Sequence, residues 1–368
     1  MRGVRVLTGL LAVAGCSCAA ASETPVIPAV LDLGVIAWPE GVTGRDGGSS
    51  TRVGDRSVWM FGDTTVDRPG VDGRQWRHNS VSWSDDLIAW DGLDNWQQLT
   101  DSSGVPAELM PQTADEQAFN DLHFIDGCTT EPCGARWATW PGSPVYDAAR
   151  RRTLIFYGLI YAEPGEFNFE SIGNSIAEWR DGEVRPRRPE FRPGTDHPTL
   201  LWSGEISAFG SAALAVDDML YAYSCQTGGL SKECMLGRVA LAEALTPAAW
   251  RYFDGQRWST AVTDAVSVLS GSDILSVAWV EFLQAYIAVY SHPLQNRVLI
   301  RTAPEPHGPW SAPTELLETM PREGGGWVYD AVLHAEYALD AGRIQYISYT
   351  RGSEMRLVQV NLAAAQLQ

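Results

Sequence analysis

Positive charge is what this 368-residue chain has least of: 27 basic residues face 45 acidic ones, a formal charge of −18. That balance excludes nucleic acid and anionic phospholipid as main partners, because both would be repelled. Lysine is nearly missing, with Lys232 standing against 26 arginines, which points to coding bias and not to chemistry. No long apolar run follows the first residues, so nothing after them could cross a bilayer as a helix. Phosphate-binding glycine loops, GxSxG elbows, HExxH helices and EF-hand loops are all absent. No cofactor and no metal ligand set is therefore expected. What remains is 45% hydrophobic and 20% charged, a globular composition long enough for one large all-β domain or two ordinary ones.

Residues 1–15 (MRGVRVLTGLLAVAG) combine a basic head, an apolar core and small residues, the pattern of a bacterial export signal. Val13-Ala14-Gly15-Cys16 resembles a lipobox, which makes Cys16 the expected lipidation site and the only expected link to a membrane. Residues 16–29 then form a tether, and 30–368 the folded domain. Ordinary secretion, with cleavage near Ala19 to Ala21, is the alternative. Cys128 and Cys133 bracket the loop CTTEPC, and Cys225 and Cys234 flank QTGGLSKE. Two local disulfides fit an exported chain. Zinc is disfavoured, since no histidine lies near either pair at ligand spacing.

The stretch from Gly44 to Thr64 (GRDGGSSTRVGDRSVWMFGDT) has the pattern of a β-hairpin. Ser49 to Val53 and Ser57 to Phe61 are its expected strands, with the turn at Gly54, Asp55 and Arg56. Asp46 and Asp63 should then lie side by side at one end, flanked by glycines. Two carboxylates gathered at a rim suit acid/base work on a sugar linkage, although Asp is also common at turns and strand ends.

The hairpin recurs. A small-residue strand, a turn and a strand rich in Tyr, Phe, Val and Ile return at Gly142 to Gly158, Gly210 to Cys225, Ser276 to Ser291 and Asp330 to Thr350. Met60, Phe156, Tyr221, Ile287 and Tyr346 are equivalent points, separated by 96, 65, 66 and 59 residues. Third strands follow each copy, and Trp-led fourth strands follow some. Meandering four-stranded units at this spacing predict an all-β, single-domain, five-bladed β-propeller. Val30 to Ile36 (VLDLGVI) is expected to complete the last blade.

In such a fold the leading ends of the inner strands converge on the axis. Blade 1 would bring Asp46, Asp63, Arg77, His78 and Asn79. Blade 2 would bring Trp137 and Trp140, and blade 3 Glu205 and Ser207. Blade 4 would bring Asp273 and His292, and blade 5 Trp327, Tyr329, Asp330, Tyr349 and Arg351. Carboxylates do acid/base work when neighbours separate their pKa values. Aromatic faces stack on sugar rings, while Arg, His and Asn bond hydroxyls. The 15 tryptophans suit a carbohydrate groove, although each also suits blade packing. His334 and Glu336 are read as structural, and His123 and His307 as loop residues.

Several motifs together resemble glycoside hydrolase family 183, earlier catalogued as domain of unknown function 4185. They are GRDGG at Gly44 to Gly48, WMFGDT at Trp59 to Thr64, HNS at His78 to Ser80, GPWSAPTEL at Gly308 to Leu316 and YISYT at Tyr346 to Thr350. The resemblance implies a five-bladed propeller and endo-acting hydrolysis of a D-arabinan, as in mycobacterial cell walls. It implies a catalytic carboxylate at Asp46 with Asp63 as neighbour. The chain departs from the family pattern at Arg45, where Thr is usual, and at Gly47, where Leu is usual. The expected function is thus an exported, monomeric glycoside hydrolase on a furanose polysaccharide, with Asp46 paired to Glu205 or Asp63. A non-catalytic sugar-binding propeller and a protein-interaction propeller are the alternatives.

Overall fold

The computed structural model describes residues 29–165, 167–204, 208–227, 231–322 and 324–364, with the side chains of 226 and 227 left aside. The export signal, Cys16, the tether before residue 29, Glu205 and Ser207 lie outside the described residues. Five antiparallel sheets follow one another along the chain. Each inner strand packs against the inner strand of the next blade, and the fifth returns to the first, closing a ring. The inner strands are Val42–Val53, Arg136–Asp147, Phe209–Val216, Ser276–Val280 and Tyr329–Leu333.

The five-bladed propeller expected from the repeats is therefore the fold. Met60, Phe156, Tyr221, Ile287 and Tyr346 all fall in second strands. The strand Val30–Val35 pairs with Glu354–Asn361 and completes blade 5 from the other end of the chain, its Asp32 bonded to Arg356 at 2.9 Å. The apolar core is divided accordingly. Five clusters each fill the wedge between two adjacent blades, for example Trp59, Phe61, Tyr346 and Leu357 between blades 1 and 5. Burying side chains of this size stabilises by about 1.5–3 kcal/mol apiece.

Both expected disulfides are formed. Cys225 and Cys234 face each other across the second and third strands of blade 3. Cys128 and Cys133 close a surface loop after a helix, Ala114–His123, that the strand repeat did not reveal. The helix opens on a capping box in which Thr113 and Glu116 satisfy each other's backbone N–H groups. Blade 5 also departs from expectation. Its inner strand stops at Leu333, and Ala335–Tyr337 is a 3-10 turn. His334 and Glu336 there join blade 5 to blade 1 through Ser50, with His334 held neutral as burial lowers its pKa to about 3.

Candidate active site

The blade 1 hairpin is longer than its alternating pattern suggests. Its strands run Val42–Val53 and Arg56–Val66, so Asp46 and Asp63 sit inside the ladder and not beyond its ends. Bulges make this possible. Register shifts on both sides of Gly47 leave Asp46 without a partner of its own, opposite Gly62 and Asp63. Gly47 takes a left-handed backbone (φ +79), which glycine adopts without strain and which frees its N–H. A side chain at Gly62 would start 2.7 Å from Asp46 Oδ1, so the bare glycine is the seat of that carboxylate. Blade 5 carries a matching bulge between Tyr329 and Val332, with Asp330 at φ +50.

These bulges aim three half-buried carboxylates at one another, Asp46 and Asp63 from blade 1 and Asp330 from blade 5. Asp46 is held well above the usual carboxylate range, first by burial and then by the charges of Asp63 and Asp330. Backbone N–H groups of Asp63 and of Asp46 itself hold it back only in part. Asp330 rises to about 7 through burial and the charge of Asp273, against a hydrogen bond from the Gly47 N–H. Asp63 is also raised by burial, but it has the most support as an anion. The Trp140 indole donates to it at 3.0 Å, Trp76 donates as well, and Arg136 and His78 oppose its charge. Tyr329 completes the group, its phenol pushed up by burial and by all three aspartates.

Asp46, Asp63, Trp140, Tyr329 and Asp330 are thus brought together. Asp273 is 72% exposed and ion-paired to Lys232 at 3.4 Å, near enough to act on Asp330. His292 lies beside Ser291, whose hydroxyl accepts the N–H of Ala331 at 2.9 Å. Trp327 is 40% exposed two residues before Tyr329.

Other expected rim residues have their polar groups or rings engaged within the protein. Arg77 is buried, donating to Pro106 O at 2.8 Å and pairing with Asp72 and Asp101. Asn79 is saturated by Thr139 of blade 2 and the N–H of Met110. Arg351 is spent on Pro321 O and Glu354. His78 is buried against Glu108 and Gln112. Trp137 packs with Tyr161, Phe119 and His197, and Tyr349 is buried with its hydroxyl on Met320 N.

Arg136 and Trp76 were missed by sequence reasoning. Arg136 leads the inner strand of blade 2, its guanidinium 4.7 Å from the Trp76 ring. A cation opening the strand that carries Trp140 was the available signal. The two departures from the family pattern are harmless to this geometry. Arg45 points away, under Phe61 and Trp38 and bonded to Ser82 and Gln98, and Gly47 supplies an N–H to Asp330. Among the described residues no group of three or more His, Cys, Asp or Glu is placed to hold a metal ion.

No curated protein matches the chain. Among solved structures it is similar to a candidate hydrolase of Bacteroides ovatus ATCC 8483, with a TM-score of 0.56, 14% identity, and 87% and 86% of the two chains covered. It is also similar to an α-L-arabinofuranosidase of Podospora anserina, with a TM-score of 0.46, 9% identity, and coverage of 89% and 95%. At these identities the likeness is one of fold. In sequence, residues 173–347 match the family described as domain of unknown function DUF4185, the one the motifs resemble.

Proposed function

We propose that the protein is a glycoside hydrolase that cuts a furanose polysaccharide internally, a D-arabinan by the family resemblance. The observation that carries this reading is the convergence of three half-buried aspartates, with Asp46 seated over Gly62 beside Asp63 and Asp330 brought in from blade 5. Asp46, whose carboxyl is raised well above its usual range by burial and then by the charges of Asp63 and Asp330, gives its proton to the leaving glycosidic oxygen as the C–O bond breaks. Asp63, whose anion Trp140, Trp76 and Arg136 favour, stabilises the positive charge that develops at the anomeric carbon. Water completes the hydrolysis and returns the proton. Asp330 acts on Asp46 by charge, keeping its pKa high. Trp327 and Tyr329 offer apolar faces to the sugar. The two disulfides support a place outside the cell, where the protein acts as a monomer anchored through lipid on Cys16.

Release of reducing ends from a panel of arabinans and other glycans tests the reading. Asp46→Asn should leave the fold intact and lower hydrolysis by about 10² or more. A variant that cuts at the parental rate would remove Asp46 from the mechanism.

A further inference from the structure

Blade 2 stands higher than the carboxylates it faces. Its inner strand begins at Arg136, four residues before Trp140, which is about 13 Å of extended chain. Arg136 pairs with Ala162, and Ala162 with Phe169, so the turn between the second and third strands lies at the top of this wall. Six Trp and Phe side chains are exposed among the described residues, and two of them, Phe167 (76%) and Phe169 (47%), stand on this turn. Exposed apolar residues scattered singly are ordinary. Phe169 is continuous with the site: it meets Trp140 edge-on at 4.9 Å, and Trp140 holds Asp63.

The described residues on either side of the turn are tied down. Glu163 N bonds Asn168 O at 2.9 Å, and the Asn168 side chain bonds Pro164 O at 3.1 Å. Phe167 is kept at φ +56, a backbone region that bulky side chains avoid. Pro164 lies so close over Gly134 that a Cβ there would come within 2.6 Å of its ring. Gly134 directly follows Cys133, so the Cys128–Cys133 loop buttresses the turn. The segment 163–170 (EPGEFNFE) carries three glutamates and no Lys or Arg, which would repel an anionic glycan.

We propose that Phe169 and Phe167, leading outward from Trp140, form a stacking subsite for sugar units beyond the cleaved bond, so that a neutral furanose chain is gripped along its length. This rests on the proposed hydrolase reading, and the experiment separates the two. Initial rates on D-arabinan chains of graded length should show Phe169→Ala losing about tenfold in kcat/KM on long chains, mostly through KM. The shortest cleaved oligosaccharide should be cut at the parental rate, and Phe169→Tyr should restore the long-chain rate. Phe167→Ala, at a mostly exposed position, should act in the same direction with an unchanged Tm. A loss equal at all lengths, or no loss, would overturn the subsite. Gel retardation by D-arabinan supplies a readout without catalysis. A parent that is retarded but cuts nothing refutes the hydrolase, and the subsite then stands only if Phe169→Ala abolishes retardation. A parent neither retarded nor active refutes both.

Discussion

Asp330 is an acidic side chain placed where an acid is costly. Its pKa of about 7, against 3.8 for a free aspartate, means the native state binds a proton that the unfolded chain releases. That stabilisation is complete below about pH 4 and is lost as pH rises through 7. Asp330→Asn removes the loss, and asparagine tolerates the left-handed backbone of this position. The substituted protein should melt a few degrees higher than the parent at pH 8 and at nearly the same temperature at pH 4, which scanning calorimetry at the two pH values would read. The ionised Asp330 also raises Asp46. Without it the Asp46 pKa falls, so the alkaline limb of the pH–rate profile should move to lower pH. An unmoved limb would assign that limb to another group.

At the scale of the element, the blade 1 hairpin couples fold to site through its bulges. A regular ladder would send alternate residues to opposite faces. The shifts around Gly47 instead hold Asp46 over Gly62 with Asp63 at its side. Gly62→Ala should therefore separate stability from activity. The added methyl would meet only the far end of the Asp46 side chain, which can move at little cost to the fold. Moving it spoils the alignment on which proton transfer depends. Hydrolysis should drop by about 10–10² with a Tm within about 2 °C of the parent. A variant with full activity would show that the seat of Asp46 is not fixed by residue 62.

The whole molecule is closed by a strand from the far end of the chain. Val30–Val35 covers the edge of Glu354–Asn361 and is mostly exposed itself, so its contribution lies in backbone pairing more than in apolar burial. Removing residues 1–35 would bare the row of N–H and C=O groups on Glu354–Asn361, a template for pairing with other chains. Such a protein should elute as multimers on size exclusion and melt at least ~5 °C lower. A monomer of parental Tm would show that the ring holds without its closing strand.

Sequence alone determined the repeat, because strand alternation and turn residues are local and survive in any order of reading. Met60, Phe156, Tyr221, Ile287 and Tyr346 marked five blades for that reason, and short spacing marked both disulfides. The helix Ala114–His123 escaped because it sits in a loop outside the period, although its capping box was visible in Thr113 and Glu116. The proximity of Asp46 and Asp63 was legible too, since one hairpin carries both. Which rim residues face the axis was decided only by the tertiary structure. Arg77 and Asn79 are chemically suited to a sugar, but burial and fixed partners within and beside blade 1 spend their hydrogen bonds. Asp330 reaches Asp46 from 284 residues away because ring closure sets blade 5 against blade 1, and a left-handed bulge turns it inward. Burial and the charges of neighbouring aspartates then raise both carboxyls, an environment assembled only once the ring has closed.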